Sequence, residues 1–440
     1  MNAENNQVAH PEVLERMRAD WNARAHEDLR YYVAFGRRGQ DDEEFFASAA
    51  DVVKVLEQEL VRLPKNLQPV ERRGLEIGCG PGRLLRPMSR NFGELHGVDV
   101  SDEMIRLAQE RFGGSRSIHL RVTSGQDLSP LASDYFDFVY SYAVFQHIPS
   151  RDVVLQYFNE IRRVLKTGGI ARLQLNGLPE GSQTPDTWEG VRFTRQDVAD
   201  YTREHNFQLL LLEGEGTQYM WTTWRKQADS WRARLQNRDA LSKVQRIADA
   251  RTGEPVVPNS GAFAYASFRL EQLSEDCDLN DLRILFDGVA GTPCYIGPPE
   301  WDGVSQINVL LPPGVRTGIV PVQLLWLDKP LTPPAWVRVI SRGPSVPRVC
   351  GVSDGTNLLA GTRIETGVLK LMMEDLADGA EVTAFVDGRA LHDLELFSTD
   401  ALTGRFEFNF RLPADLAKGP HQLEVRQGTR RFPPIAIEVA

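Results

Sequence analysis

The stretch 74-GLEIGCGPGRLLRPMSR-90 decides the fold of the first half of this chain. Leu75, Glu76 and Ile77 end an apolar strand, Gly78, Gly80 and Gly82 make a turn, and Leu84 and Leu85 open a helix. Glycines suit such a turn because the backbone must reverse tightly and admit a ligand where a Cβ would otherwise stand. Several nucleotide sites share this device, so the neighbouring residues must discriminate between them. Arg83 stands where a dinucleotide fingerprint has its third glycine. Glu76 beside the loop suits a cationic ligand and repels a pyrophosphate. In 95-LHGVDVS-101, Asp99 lies 17 residues past Gly82 at the end of a second strand, placed to accept hydrogen bonds from both hydroxyls of a ribose.

The order downstream continues a βαβ pattern. Residues 102-DEMIRLAQERF-112 read as a helix, and 118-IHLRVTSGQDLSPL-131 as a strand and loop. A fourth strand with an aromatic-rich loop follows in 135-YFDFVYSYAVFQHIP-149; then 152-DVVLQYFNEIRRVLKTGGIARLQL-175 gives a helix, a Gly-Gly turn and a fifth strand. LEIGCGPG, GVDVS, SGQDL, FDFVYS and RRVLKTGG, in this order and spacing, resemble the motifs of class I S-adenosylmethionine-dependent methyltransferases over residues 74 to about 225. The resemblance implies a doubly wound Rossmann-like sheet and S-adenosylmethionine as cofactor. It places Glu76, Gly78, Cys79, Gly80 and Gly82 around the methionyl part, Asp99 on the ribose, and Val100 and Met104 against the adenine. Ser124, Gly125, Gln126 and Asp127 would meet the adenine edge. Many relatives carry an acid where Ser124 stands, so Asp127 or a backbone amide could take that contact. Tyr140, Ser141, Gln146 and His147 would line the floor beneath the sulfonium.

The acceptor end is less marked. His147 in FQHIP is the candidate general base, with an ordinary imidazole value near 6.5; the alternative is that it orders its loop or touches the cofactor. His26 is a weaker option and reads more simply as a surface histidine. Helices expected over 11–36 and 41–63 carry Trp21, Tyr31, Tyr32, Phe35, Phe45 and Phe46. They serve either as a lid giving substrate contacts through Trp21, Tyr31 and Tyr32, or as ordinary packing on the sheet. Tyr219, Trp221 and Trp224 sit on a sixth or seventh strand, with the spacing of a buried face. No Asn-Pro-Pro-Tyr motif follows the fourth strand, which disfavours methylation of base amines in nucleic acid. The cysteines, Cys79, Cys277, Cys294 and Cys350, have no metal or disulfide spacing, and no metal site is expected.

The second half has another texture. Half of the 26 prolines fall between Pro255 and Pro347, among short alternating runs such as 304-VSQINVLL-311, which excludes long helices and favours β-sheet. Residues 281–327 resemble bacterial immunoglobulin-like modules of the IPT/TIG sort through Tyr295, Gly297, Pro299, Gln306, Asn308, Val309 and Pro312–Gly314. A second sandwich is expected from 381-EVTAFVDG-388, 404-GRFEFNFRL-412 and 421-HQLEVRQG-428, with Asp387-Gly388 as a tight turn. Residues 226–251 read as a helix bridging the halves. The expected organisation is a helical cap over 1–73, a methyltransferase core over 74–227, a helical linker over 228–260, and β-sandwiches over 261–342 and 343–440. No long internal repeat is evident.

The formal net charge of −10 argues against a broad nucleic-acid footprint. The polar first thirty residues and the shortness of every apolar run point to a cytoplasmic protein without a membrane partner. The expected function is methyl transfer to a small molecule or glycan, more readily on oxygen than nitrogen. The sandwiches would recruit substrate, a protein partner or a second copy of the chain. A scaffold that only senses S-adenosylmethionine is the alternative, and an NAD-dependent oxidoreductase is disfavoured by Glu76 and Arg83.

Overall fold

The computed structural model describes residues 11–34, 39–179, 184–236, 241–261, 264–343, 346–355, 361–376, 381–400 and 404–440. Seven strands form the first sheet: β1 (Arg73–Ile77), β2 (Glu94–Asp99), β3 (Ile118–Val122), β4 (Phe136–Ser141), β5 (Leu165–Leu175), β6 (Phe207–Glu213) and β7 (Met220–Lys226). Their order is β3-β2-β1-β4-β5-β7-β6; the first five run parallel, and β7 is antiparallel to both neighbours. β4 is buried at every residue, as a central parallel strand with both faces covered must be. The order turns back between β1 and β4, and that switch point opens the crevice in which such sheets bind ligands.

Among the described residues seven α-helices accompany these strands: α1 (Pro11–Ala34), α2 (Asp42–Ala47), α3 (Ala50–Glu59), α4 (Leu85–Met88), α5 (Asp102–Phe112), α6 (Arg151–Val164) and α7 (Arg195–Glu204). α5 starts where Ser101 accepts a hydrogen bond from the Met104 amide, and α7 starts in a capping box of Thr194 with Asp197. α1 breaks at Asp28 (φ −160°, ψ 83°), whose carboxylate accepts from the Tyr31 amide and so starts the final turn afresh. Phe35, counted among the expected lid aromatics, lies outside the described residues.

The expected helix over 226–251 is not formed, and with it goes the helical linker over 228–260. Among the described residues this stretch holds a single 3-10 turn, Arg232–Arg234, and then a strand, β8 (Lys243–Asp249). Its helix-favouring composition is overridden by long-range partners. Arg232 pairs with Asp278 at 2.9 Å and Asp281 at 2.5 Å, and β8 zips onto a strand some twenty residues later.

The first β-rich unit therefore begins before residue 261. After β8 come β9 (Val256–Pro258), β10 (Tyr265–Glu271), β11 (Leu282–Phe286), β12 (Val289–Ala290), β13 (Thr292–Ile296), β14 (Val304–Leu310), β15 (Gly318–Trp326), β16 (Lys329–Pro330) and β17 (Ala335–Ile340). One sheet runs β13-β14-β10-β8 and the other β12-β11-β15-β17-β9, with Phe268 and Phe286 meeting between them at 6.3 Å. This unit is not a bead on a string. β13 pairs with β6 at Tyr295 and Leu211, so eleven strands make one continuous sheet, and a single hydrophobic core runs from Met17 to Val339. Arg62 adds a bond to the Ile296 carbonyl at 2.8 Å, and Gln208 donates to the carbonyls of Glu275 and Cys277.

The second unit repeats the first strand for strand: β18 (Arg348–Asp354), β19 (Arg363–Ile364), β20 (Val368–Glu374), β21 (Val382–Val386), β22 (Arg389–Ala390), β23 (His392–Asp400), β24 (Arg405–Arg411), β25 (Gly419–Gln427), β26 (Arg430–Arg431) and β27 (Ile435–Val439). Its sheets run β23-β24-β20-β18 and β22-β21-β25-β27-β19, the same orders as before, and the parallel pair β17–β9 recurs as β27–β19. This duplication corrects the expectation of no internal repeat. Few residues mark it: Asn308, Leu311, Pro312 and Gly318 recur 101 positions later as Asn409, Leu412, Pro413 and Gly419. Asp287-Gly288 and Asp387-Gly388 both turn with positive φ at each residue, as a tight hairpin turn requires. Unlike the first unit, the second has its own core, around Leu369, Leu371, Phe408, Phe410, Leu423 and Val425.

Candidate active site

At the switch point a cavity is lined by residues of the glycine loop, Glu76, Asp99, Val100, Met104, the loop after β4, and α1. The loop takes positive φ at Gly78 (71°), Gly80 (51°) and Gly82 (91°). A Cβ on Gly78 would stand 2.2 Å from Val144, so glycine is required there by both conformation and space. The amides of Gly78 and Cys79 both donate to the Val98 carbonyl, fixing the loop against the end of β2.

Two carboxyl groups face this cavity in different surroundings. Glu76 is buried, and Tyr140 donates a hydrogen bond to it at 3.0 Å. Burial outweighs that bond and pushes the carboxyl up to about 8, so it is mostly protonated at neutral pH in the protein alone. Asp99 is less enclosed and accepts from the Gly80 amide at 2.8 Å and the Ser101 amide at 2.9 Å. Desolvation still raises it, but each oxygen keeps a lone pair for a further donor. A cation beside Glu76 and a diol beside Asp99 are therefore what these groups can hold.

His147 is buried on the cavity wall. Its Nδ1–H donates to the Trp188 carbonyl at 2.7 Å, which leaves Nε2 to accept from the Gln146 amide at 3.1 Å. Gln146 is in turn oriented by Gln174, which also accepts from the amide of Ala143, a residue held at φ 55°. Burial lowers His147 to about 4 and keeps the ring neutral at physiological pH. Trp21 meets it edge-on at 5.4 Å.

The sequence-expected residues thus divide by role. Glu76, Gly78, Cys79, Gly80, Asp99, Val100, Met104, His147, Trp21 and Tyr32 line the cavity. Tyr140, Ser141 and Gln146 stand behind its wall: Tyr140 holds Glu76, Ser141 donates to the Ile77 carbonyl, and Gln146 holds His147. Gly82 packs against Phe112 rather than facing the cavity. Ser124, Gly125, Gln126 and Asp127 form a self-contained turn beside it, in which the Ser124 hydroxyl donates to Asp127 at 2.7 Å and accepts from the Gln126 and Asp127 amides. Tyr31 is turned from the cavity and packs on Tyr32. His26 is exposed and lies 3.8 Å from Glu103.

Sequence reasoning missed several wall residues: Met17, Val33, Arg83, Tyr142, Val144, Ile148 and Tyr157. Tyr142 stacks on Trp221 at 5.6 Å, which brings β7 aromatics to the mouth of the site. Its place in the loop after β4 was the one available signal. α1 contributes to the cavity and is tied down by Arg18 bonding to Val100 and Thr123 carbonyls and by Asn22 bonding to Ser101 and Asp102.

Comparison with known proteins agrees with this geometry. Residues 75–173 match the family model described as a methyltransferase domain. A ubiquinone biosynthesis O-methyltransferase of Sinorhizobium fredii is 31% identical over 29% of this chain and 58% of its own length. Phosphoethanolamine N-methyltransferase 2 of Caenorhabditis elegans is 30% identical over 27% of this chain and 29% of its own. The chain thus spans less than two thirds of these relatives. A solved methyltransferase from Aquifex aeolicus aligns over 40% of this chain and 96% of its own, at 17% identity and a TM-score of 0.30. The N-terminal half is a Rossmann-like methyltransferase fold, and its cofactor is S-adenosylmethionine. Glu76 and Asp99 fit the ammonium and ribose of that molecule.

Proposed function

We propose that the chain is an S-adenosylmethionine-dependent methyltransferase acting on an oxygen of a small molecule or glycan. The observation that carries this reading is the pairing of a buried, Tyr140-held Glu76 with Asp99 across one cavity. When bound, the cofactor supplies a methyl group on a sulfonium, open to in-line displacement. Val100 and Met104 offer an apolar seat for the adenine, and Asp99 offers acceptors for the ribose. Trp21, Tyr32 and Tyr142 wall the acceptor side and exclude water, so that much of the acceleration comes from holding nucleophile and methyl group in line. His147 serves this wall as a positioning group, since both ring nitrogens are engaged; acting as a base would require Gln146 to release Nε2.

The duplicated β-units are proposed as immunoglobulin-like recruitment modules for substrate, a partner or a second copy. Titration of the purified protein with S-adenosylmethionine and S-adenosylhomocysteine by calorimetry, alongside Asp99→Ala, tests the reading. Binding that the variant loses supports it and justifies a screen of hydroxylated acceptors with labelled methyl donor. An absence of binding by the wild type would overturn it, and binding without turnover on any acceptor would favour the sensing scaffold.

A further inference from the structure

Arg83 is the only lysine or arginine on the cavity wall among the described residues, and it is 94% buried. Its Nη1 donates to the carbonyl and hydroxyl of Ser48, both at 3.2 Å. Among the described residues its Nε finds no acceptor, and the guanidinium makes no ion pair with a carboxylate within 4.0 Å. Tyr142 faces it at 5.7 Å, a cation–π contact that steadies the plane without neutralising the charge. A buried guanidinium without a counterion is costly, and burial depresses its proton affinity accordingly. The planar fork of arginine matches two oxygens of a carboxylate or phosphate. Glu76 does not fill this role, because it is bonded to Tyr140 and largely protonated.

Resting on the methyltransferase reading above, we infer that Arg83 is an anion receptor in the reaction chamber, taking a carboxylate or phosphate oxygen pair. Two sources present that chemistry: the α-carboxylate of the cofactor, and an acidic group on the acceptor. In the second case the acceptor class narrows to hydroxylated acids and phosphorylated hydroxy compounds. Their anion would anchor on Arg83 while Tyr142 and Trp21 cover the rest. In either case a ligand that pairs with Arg83 relieves a charge that the protein alone leaves uncompensated.

The test uses the full chain with Arg83→Met and Arg83→Lys. Calorimetry compares S-adenosylhomocysteine with its decarboxylated analogue, which keeps the amine. A preference of at least tenfold that collapses in Arg83→Met assigns the receptor to the cofactor. Benzoate and inorganic phosphate are then added to the protein saturated with S-adenosylhomocysteine, and stabilisation is read by thermal shift. A shift in the wild type that both variants lose assigns the receptor to the acceptor. Without ligand, Arg83→Met should melt at or above the wild-type temperature, because it removes an unpaired buried charge; a Met side chain that melted lower and left both arms unchanged would show a purely structural arginine and overturn the proposal. If Arg83→Met fails to fold, Arg83→Lys decides, since it keeps charge but loses the fork: unchanged arms overturn the receptor, a tenfold loss in either supports it. Failure of the wild type to bind S-adenosylhomocysteine would sink the methyltransferase reading, while the benzoate and phosphate arm on the protein alone still tests Arg83.

Discussion

Cofactor affinity should rise with pH and release a proton, because the group that receives the cationic end is itself protonated in the protein alone. Glu76 stands at about 8 through burial, whereas binding an ammonium requires it ionised. The fraction ionised is about 1% at pH 6 and about 24% at pH 7.5, and with the ligand's α-ammonium about one third deprotonated at the upper end, affinity should climb roughly 15- to 20-fold across that interval. Above pH 8 the gain stops, since an α-ammonium loses its own proton near 7.7–8.0. Calorimetry at pH 6.5 in buffers of different ionisation enthalpy should count about one proton released per cofactor bound. Glu76→Gln keeps the Tyr140 contact in shape but cannot ionise, so its binding should be weaker and nearly flat with pH. Folding stability runs the opposite way with pH. A carboxyl raised from its usual range to about 8 favours the folded protein at low pH and loses that contribution as pH rises towards 8. Affinity constant within twofold from pH 6 to 7.5, with no proton released, would refute the assignment of Glu76 as the ammonium's partner.

Further expectations follow from the same geometry. Asp99→Ala should weaken cofactor binding by about 10- to 100-fold and lower stability by about 1–3 kcal/mol, read by calorimetry and denaturant melts, because it also orphans the Gly80 and Ser101 amides. Gly78→Ala should abolish cofactor binding, and Val144→Ala should restore little of it, since the positive φ persists after the clash is removed; a full rescue would show that space alone matters. His147, lowered to about 4 by burial, contributes stability above its unfolded value near 6.5 that fades as pH falls towards 4. His147→Asn should flatten that slope in pH-dependent melts, and the rate profile of the wild type should show no limb near 6.5. Truncation after residue 343 should leave a folded protein, because the second unit has its own core. Truncation after 227 should yield aggregates, because it bares the β6 edge and splits a shared core.

The cofactor half was written plainly in local sequence, and the reason is physical. A glycine at a tight turn and a carboxylate closing a strand are demands of the backbone within a few residues, so Gly78 and Asp99 could be read one by one. What folding over distance decides was not legible. Tyr140 and Gln146 carry the right chemistry for a site floor, yet the structure uses them to hold Glu76 and His147 from behind. Arg83 entered the sequence argument only as a missing glycine, because nothing local shows that a charged side chain will be buried without a counterion. The segment 226–251 has helical composition, but whether β8 forms depends on β10 presenting a ladder and Asp278 and Asp281 capturing Arg232. The duplication of the β-units was hidden for a related reason. Sandwich cores accept many apolar residues at a given position, so little beyond the Asp-Gly turns, one strand asparagine, a Leu-Pro pair and a glycine kept a trace of it. The sequence by itself determined the glycine loop, its two acids and the β-rich second half, since each rests on backbone geometry or alternation. Only the tertiary structure decided that β13 joins the methyltransferase sheet and which aromatics wall the chamber, because those outcomes depend on surfaces that the chain brings together from about 80 to 120 residues apart.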